Sequence, residues 1–132
     1  MNWFDAVCHA FSTLSLGGFS THDASIGHFD SPAIEAVVIF FMLVAAMNFS
    51  RHFIAWQQKS LRTYLGDVEA RALLLIVGVS TMGLALVIRL EGVYPSIWTS
   101  LRHVAFNLVS IATDCGLVSQ DYAAWPMFAP MW

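Results

Sequence analysis

The chain has 132 residues, 58% hydrophobic and 11% charged, with six basic and nine acidic residues and a net charge of −3. Soluble domains carry roughly 45–50% apolar and about 25% charged residues, so this composition, with a mean hydropathy of +0.65, excludes a comfortably solvated surface and points to membrane spans. No basic patch with interleaved aromatics offers a nucleic-acid footprint, and the two cysteines, Cys8 and Cys115, form neither a disulfide framework nor a zinc spacing.

Met1 is followed by Asn2, Trp3, Phe4 and Asp5. That start lacks the basic n-region and apolar h-region of a secretory signal, so targeting is expected to come from internal spans. A short apolar helical pattern runs from Trp3 to about Thr13, with Asn2 as its cap. At this length it reads as re-entrant or interfacial, because a hydrocarbon core of about 30 Å needs roughly 20 apolar residues. A Ser/Gly turn around Gly17 and Gly18 follows, then Asp23.

The first long apolar run is Ala36–Phe49, extended by Pro32–Glu35 and by Phe53–Trp56. Ser31 is expected to cap it and Pro32 to occupy its first helical position. Glu35 lies in the first turn, where the helix dipole favours a carboxylate, and is expected at the outer interface. Arg51 and His52 read as the interfacial end of this span. The link Ser50–Arg71 holds Arg51, Lys59, Arg62 and Arg71, four of the six basic residues, which assigns it to the cytoplasm. Trp56 and Tyr64 suit an inner aromatic belt, and both chain ends face the opposite side.

The second long run, Ala72–Ile88, follows Asp67 and Glu69 and carries no charge until Arg89. Gly78, Ser80, Thr81 and Gly83 within it suit close helix packing. After Tyr94-Pro95-Ser96, a second short helix is expected from Ile97 to about Ala112. It leads into a turn around Gly116 and then Asp121.

Shifting the chain by 98 residues superposes the two short-helix segments. Phe11–Asp23 falls on Val109–Asp121, Ser12 on Ser110, Gly18 on Gly116, Asp23 on Asp121 and, further on, Pro32 on Pro130. The repeating unit is short helix, glycine loop, membrane helix, so the chain reads as a stretch from the middle of a longer array. Irregular backbone at membrane depth survives only where it lines a watery cavity or is buried in protein. In ion channels such a loop offers carbonyl oxygens in place of a cation's hydration shell. Glycine permits the backbone angles this requires, and the C-terminal dipole of the short helix favours the cation.

The stretch Cys8–Asp23 (CHAFSTLSLGGFSTHD) resembles the second pore loop of Trk-type bacterial potassium-uptake subunits, in the Trk/Ktr/HKT superfamily. Val109–Thr113 through Tyr122–Pro126 resembles the third. The resemblance implies an all-α membrane protein of M1–P–M2 pore-loop repeats, here partial. Residues 1–56 would be the pore helix, filter loop and following transmembrane helix of one repeat, 57–71 a cytoplasmic link, and 72–132 the transmembrane helix, pore helix and filter loop of the next. By position, the resemblance puts the filter backbone at Leu16, Gly17, Gly18 and Phe19, running into Ser20, and at Asp114, Cys115, Gly116 and Leu117, running into Val118. The family usually has a small polar residue where Asp114 stands and commonly an aromatic where Leu117 stands. Asp114 reads equally as pore-facing or as a solvated loop residue.

The resemblance further implies potassium as the transported ion with no other cofactor, a homodimer of full-length pore subunits, a cytosolic nucleotide-binding regulatory subunit and the missing repeats of the same polypeptide. The expected location is the bacterial inner membrane, with both filter loops periplasmic and residues 50–71 cytoplasmic. His9 and Asn107, which coincide in the repeat, are expected to pack or hydrogen-bond around the pore helices. His22, Asp23, His28 and Asp30 read as outer-surface residues, and a metal-dependent enzyme built on His22 and His28 is the weaker reading. No nucleophile–base constellation or phosphate-cradling loop suggests an enzyme. The competing function is a non-conducting membrane interaction piece, or the product of a truncated transporter gene.

Overall fold

A computed structural model describes residues 1–60, 64, 66–121 and 125. Arg62, Tyr122, Pro126 and Pro130, which entered the reading of the sequence, lie outside the described residues. Among the described residues, every regular element is helical. They are α1 (Trp3–Leu14), a 3-10 turn (Ser25–Phe29), α2 (Pro32–Ala46), α3 (Phe49–Gln58), α4 (Val68–Leu90) and α5 (Ile97–Ala112).

Capping chemistry sets most of the boundaries. Asn2 Oδ1 accepts the Asp5 amide at 2.8 Å and starts α1. Asp67 accepts the Glu69 amide and starts α4, and Ser96 accepts the Trp98 amide and starts α5. Each satisfies an orphan donor of a first helical turn. Pro32 opens α2 as expected, but the Ser31 side chain makes no capping bond; its carbonyl accepts from Glu35 instead.

The first apolar run is not one continuous helix. It breaks after Ala46, and α2 and α3 meet at a bend of 96°. Met47 is extended, and Asn48 then accepts the Ser50 amide to begin α3. An Asn side chain that competes for nearby backbone amides favours such a restart. His52 closes the corner by bonding the Val44 carbonyl at 2.9 Å and the Tyr64 hydroxyl at 2.8 Å. Arg51 pairs with Asp67 at 3.3 Å, tying α3 to the start of α4.

Helix α4 has 23 residues, about 35 Å at 1.5 Å per residue, and is long and apolar enough to cross a membrane. The bent pair α2–α3 passes the same test only as one broken span. One face of α4, with Val77, Leu84, Ala85 and Ile88, is buried, and α4 packs along α5. The opposite face leaves Leu75, Ile76, Val79, Met82, Leu86 and Leu90 exposed. Gly78 and Gly83 look onto open space among the described residues. Within this chain they lie on the face turned away from α5, and Thr81 alone of the four small residues is buried.

The main buried cluster joins the halves. Val38 and Met42 of α2, Val77 of α4 and Phe106 and Val109 of α5 surround Ile26, Cys115 and Leu117. The core therefore sits beneath the second glycine loop, with α2 packed against both α1 and α5.

Candidate functional site

Each short helix ends in the same local structure. At the end of α1, Ser15 N donates to Phe11 O at 2.9 Å, Leu16 N to Thr13 O at 3.2 Å and Gly17 N to Ser12 O at 2.8 Å. At the end of α5, Thr113 N donates to Val109 O at 2.9 Å, Asp114 N to Ile111 O at 3.0 Å and Cys115 N to Ser110 O at 2.8 Å. Every donor and acceptor in the second set is 98 positions beyond its counterpart. The hydroxyls follow suit: Ser15 Oγ donates to Ser12 O, and Thr113 Oγ1 to Ser110 O.

The backbone torsions repeat as well. Leu16 and Asp114 are both left-handed, with φ of 52° and 61°, and so are Gly18 and Gly116, at 69° and 85°. Sequence comparison located the glycines; it gave no signal for the left-handed Leu16, a conformation that an L residue with a branched side chain resists.

The two loops meet at their glycines. A Cβ on Gly18 would run into the Cys115 carbonyl oxygen and stand 3.4 Å from the Gly116 Cα. Beyond the glycines the exit segments are laced together: Gly27 N donates to Val118 O, and Val118 N to Ser25 Oγ, both at 3.1 Å. All eight residues assigned from sequence thus fall in two loops in backbone contact.

Their side chains are not equivalent. Leu117 is 1% exposed and belongs to the core, whereas its counterpart Phe19 is 80% exposed. Asp114 is exposed. An Asp tolerates the left-handed conformation better than most residues, which suits it to this position.

Polar side chains of the short helices hold the exit segments. Thr21 Oγ1 donates to Asp5 Oδ1 at 2.7 Å, and His22 Nε2 lies 3.4 Å from Asp5 Oδ2. The Thr21 bond, opposed by burial and aided by His22, holds the Asp5 carboxyl below the usual aspartate range. His9 and Asn107, expected to pack or bond near these helices, bond Ser20 and the Ser119–Gln120 backbone respectively. His22 and His28 stack face to face with centroids 3.8 Å apart. Among the described residues no group of three His, Cys, Asp or Glu side chains is arranged to hold a metal ion.

One feature escaped the sequence reading. Arg102 on α5 forms a two-bond fork with Glu35 on α2, at 2.8 and 2.9 Å, and also reaches Asp30 at 2.8 Å. Glu35, expected at the outer interface, is 1% exposed. Its location in the first turn of α2 had been legible, but its partner lies 67 positions away.

A family model described as cation transport protein, TrkH, matches residues 1–131. The chain is 46% identical over 130 residues to the Trk system potassium uptake protein TrkH of Halomonas elongata, covering 98% of this chain and 27% of that protein. It is 41% identical over 130 residues to TrkG of Escherichia coli K12, covering 96% of this chain and 26% of that protein. A crystal structure of the potassium transporter TrkH from Vibrio parahaemolyticus superposes with a TM-score of 0.94 at 38% identity, covering 99% of this chain and 28% of that one. The chain therefore spans about a quarter of the length of these relatives.

Proposed function

Because the chain belongs to the TrkH family of cation transport proteins, we propose that it supplies two adjacent pore loops of a Trk-type potassium transporter. In this reading α1 and α5 are pore helices. The backbone of Leu16–Phe19 and Asp114–Leu117 forms half of a filter whose carbonyls replace the hydration shell of potassium. The observation that carries it is the agreement of hydrogen bonds and torsions between two loops that touch at Gly18 and Gly116. Two copies of one turn in backbone contact are what a ring of equivalent loops around an axis requires.

The exposure of Phe19 against the burial of Leu117 supports further repeats. The first half covers the second loop, and an equivalent neighbour would cover the first. Further parts of the proposal are the M1–P–M2 layout, an inner-membrane location with periplasmic loops and a cytoplasmic 50–71 link, assembly as a dimer, and a cytosolic nucleotide-binding regulator. Transport on this reading needs no cofactor beyond the ion itself.

The test is a chimera in which these 132 residues replace the matching part of the Halomonas relative. It is expressed in bacteria that lack potassium uptake. The chimera is expected to restore growth at low potassium, and Gly18→Asp to abolish it at equal membrane abundance. Growth of the glycine variant equal to its parent would sink the filter assignment.

A further inference from the structure

We propose that Asp5 and His9 in the first half, and His103 and Asn107 in the second, are positioning residues that brace the exit of each glycine loop and so set how sharply the loops distinguish cations. The inference rests on the filter reading above and adds residues outside the loops themselves.

The 98-residue shift places Asp5 on His103, His9 on Asn107, and Ser20-Thr21 on Val118-Ser119. In the first half, Asp5 takes the Thr21 hydroxyl at 2.7 Å and His9 Nε2 meets the Ser20 hydroxyl at 2.9 Å. His9 Nδ1 lies 2.7 Å from the Asp5 carbonyl oxygen. That carbonyl only accepts, so Nδ1 carries the proton. In the second half, His103 Nδ1 meets the Ser119 hydroxyl at 3.4 Å. Asn107 Oδ1 accepts the Ser119 amide at 3.1 Å, and its Nδ2 donates to the Gln120 carbonyl at 3.2 Å.

In each half, therefore, two side chains one helical turn apart reach the chain just beyond the loop glycine. All four are buried. Burying polar groups on short helices is unfavourable unless their bonds are made, and an apolar residue would fill the same space without that requirement. The chemistry differs between halves, carboxylate and imidazole against imidazole and amide, while the target stays the same. What recurs is the brace itself. A coordinating cage tells cations apart by the spacing and field of its oxygens, and both depend on how firmly supporting residues hold the backbone. The first brace is shorter and charge-assisted, hence stronger than the second.

The test uses the same chimera, reading rubidium uptake and its competition by sodium. Thr21→Val, which removes the hydroxyl, is expected to raise KM and weaken discrimination against sodium by about fivefold, with the maximal rate within about twofold. Thr21→Ser, which keeps the hydroxyl, should match the parent, and Ser119→Ala should shift in the same direction by about twofold. A Thr21→Val protein with the parent's KM and sodium competition overturns the proposal. If that variant fails to reach the membrane, Asp5→Asn is read in its place. It keeps an acceptor oxygen and loses the charge, so a smaller shift in the same direction is expected, and none overturns the proposal. A parent chimera without uptake overturns the filter reading, and this inference with it; a working parent with insensitive variants overturns this inference alone.

Discussion

Leu16 and Asp114, 98 positions apart, hold the same left-handed backbone conformation at the end of their respective short helices, with φ of 52° and 61°. The conformation costs an ordinary L residue roughly 1–2 kcal/mol, and Asp or Asn less. Asp114 is exposed, so exchanging it loses little packing and isolates the backbone term. Asp114→Asn is expected to leave stability within about 0.5 kcal/mol, and Asp114→Val to lower it by about 1–2 kcal/mol. Thermal unfolding of the chimera in detergent compares the two. Equal melting temperatures would mean that the conformation relaxes on substitution.

The loop glycines should rank in a definite order. Gly17 has ordinary torsions, and an added Cβ would meet the Ser15 hydroxyl at 3.1 Å and the Phe19 ring at 3.3 Å, both side-chain atoms that can yield. Gly116 has φ of 85° but, among the described residues, only the Gly18 Cα nearby, at 3.9 Å. Gly18 combines φ of 69° with the immovable Cys115 carbonyl. Alanine is thus expected to cost under about 1 kcal/mol at Gly17, about 1–2 at Gly116, and more than either at Gly18. Melting temperatures of the three variants check the order, and a Gly116→Ala protein less stable than Gly18→Ala would contradict the close approach.

Several features were legible because they are local or repeated. The bounds of α5 follow from Ser96 and the small-residue turn after Ala112, and the loop pair follows from the 98-residue shift. The break after Ala46 was not legible, since no Pro or Gly interrupts that run. Its only mark is Asn48, two residues before the amide it captures. Composition does not say which face of α4 packs on α5, so the place of Gly78 and Gly83 on its other face was not legible. The fork between Arg102 and Glu35 joins separate elements, and a spacing of 67 residues carries no periodic signal.

That fork should be sensitive to losing one partner and tolerant of losing both. Removing one member of a buried ion pair leaves an uncompensated charge and costs about 3–5 kcal/mol, whereas apolar replacement of both is often neutral. Arg102→Met leaves the Glu35 carboxylate, whose side chain is 2% exposed, without its partner. The single variant is therefore expected to unfold at markedly lower temperature. Glu35→Met combined with Arg102→Met should recover most of the difference. A double-mutant cycle showing additive effects would mean that the fork contributes no coupling.

The Asp5 carboxylate should make the first loop's exit sensitive to acid. Its carboxyl lies below the ordinary aspartate range, through the Thr21 hydroxyl first and the nearby His22 as well. A folded-state value depressed below the unfolded one contributes stability that is fully present above the unfolded pKa and is lost as pH falls through the folded value. The window is therefore acidic, beginning near the ordinary aspartate range and extending below it. Within it, the Ser20–His22 segment should gain amide hydrogen exchange sooner than the Ser119–Gln120 segment, whose brace contains no carboxylate. Asp5→Asn should raise exchange at neutral pH and remove the acid dependence. Parent and variant exchanging with the same pH profile would show that the carboxylate does not hold this segment.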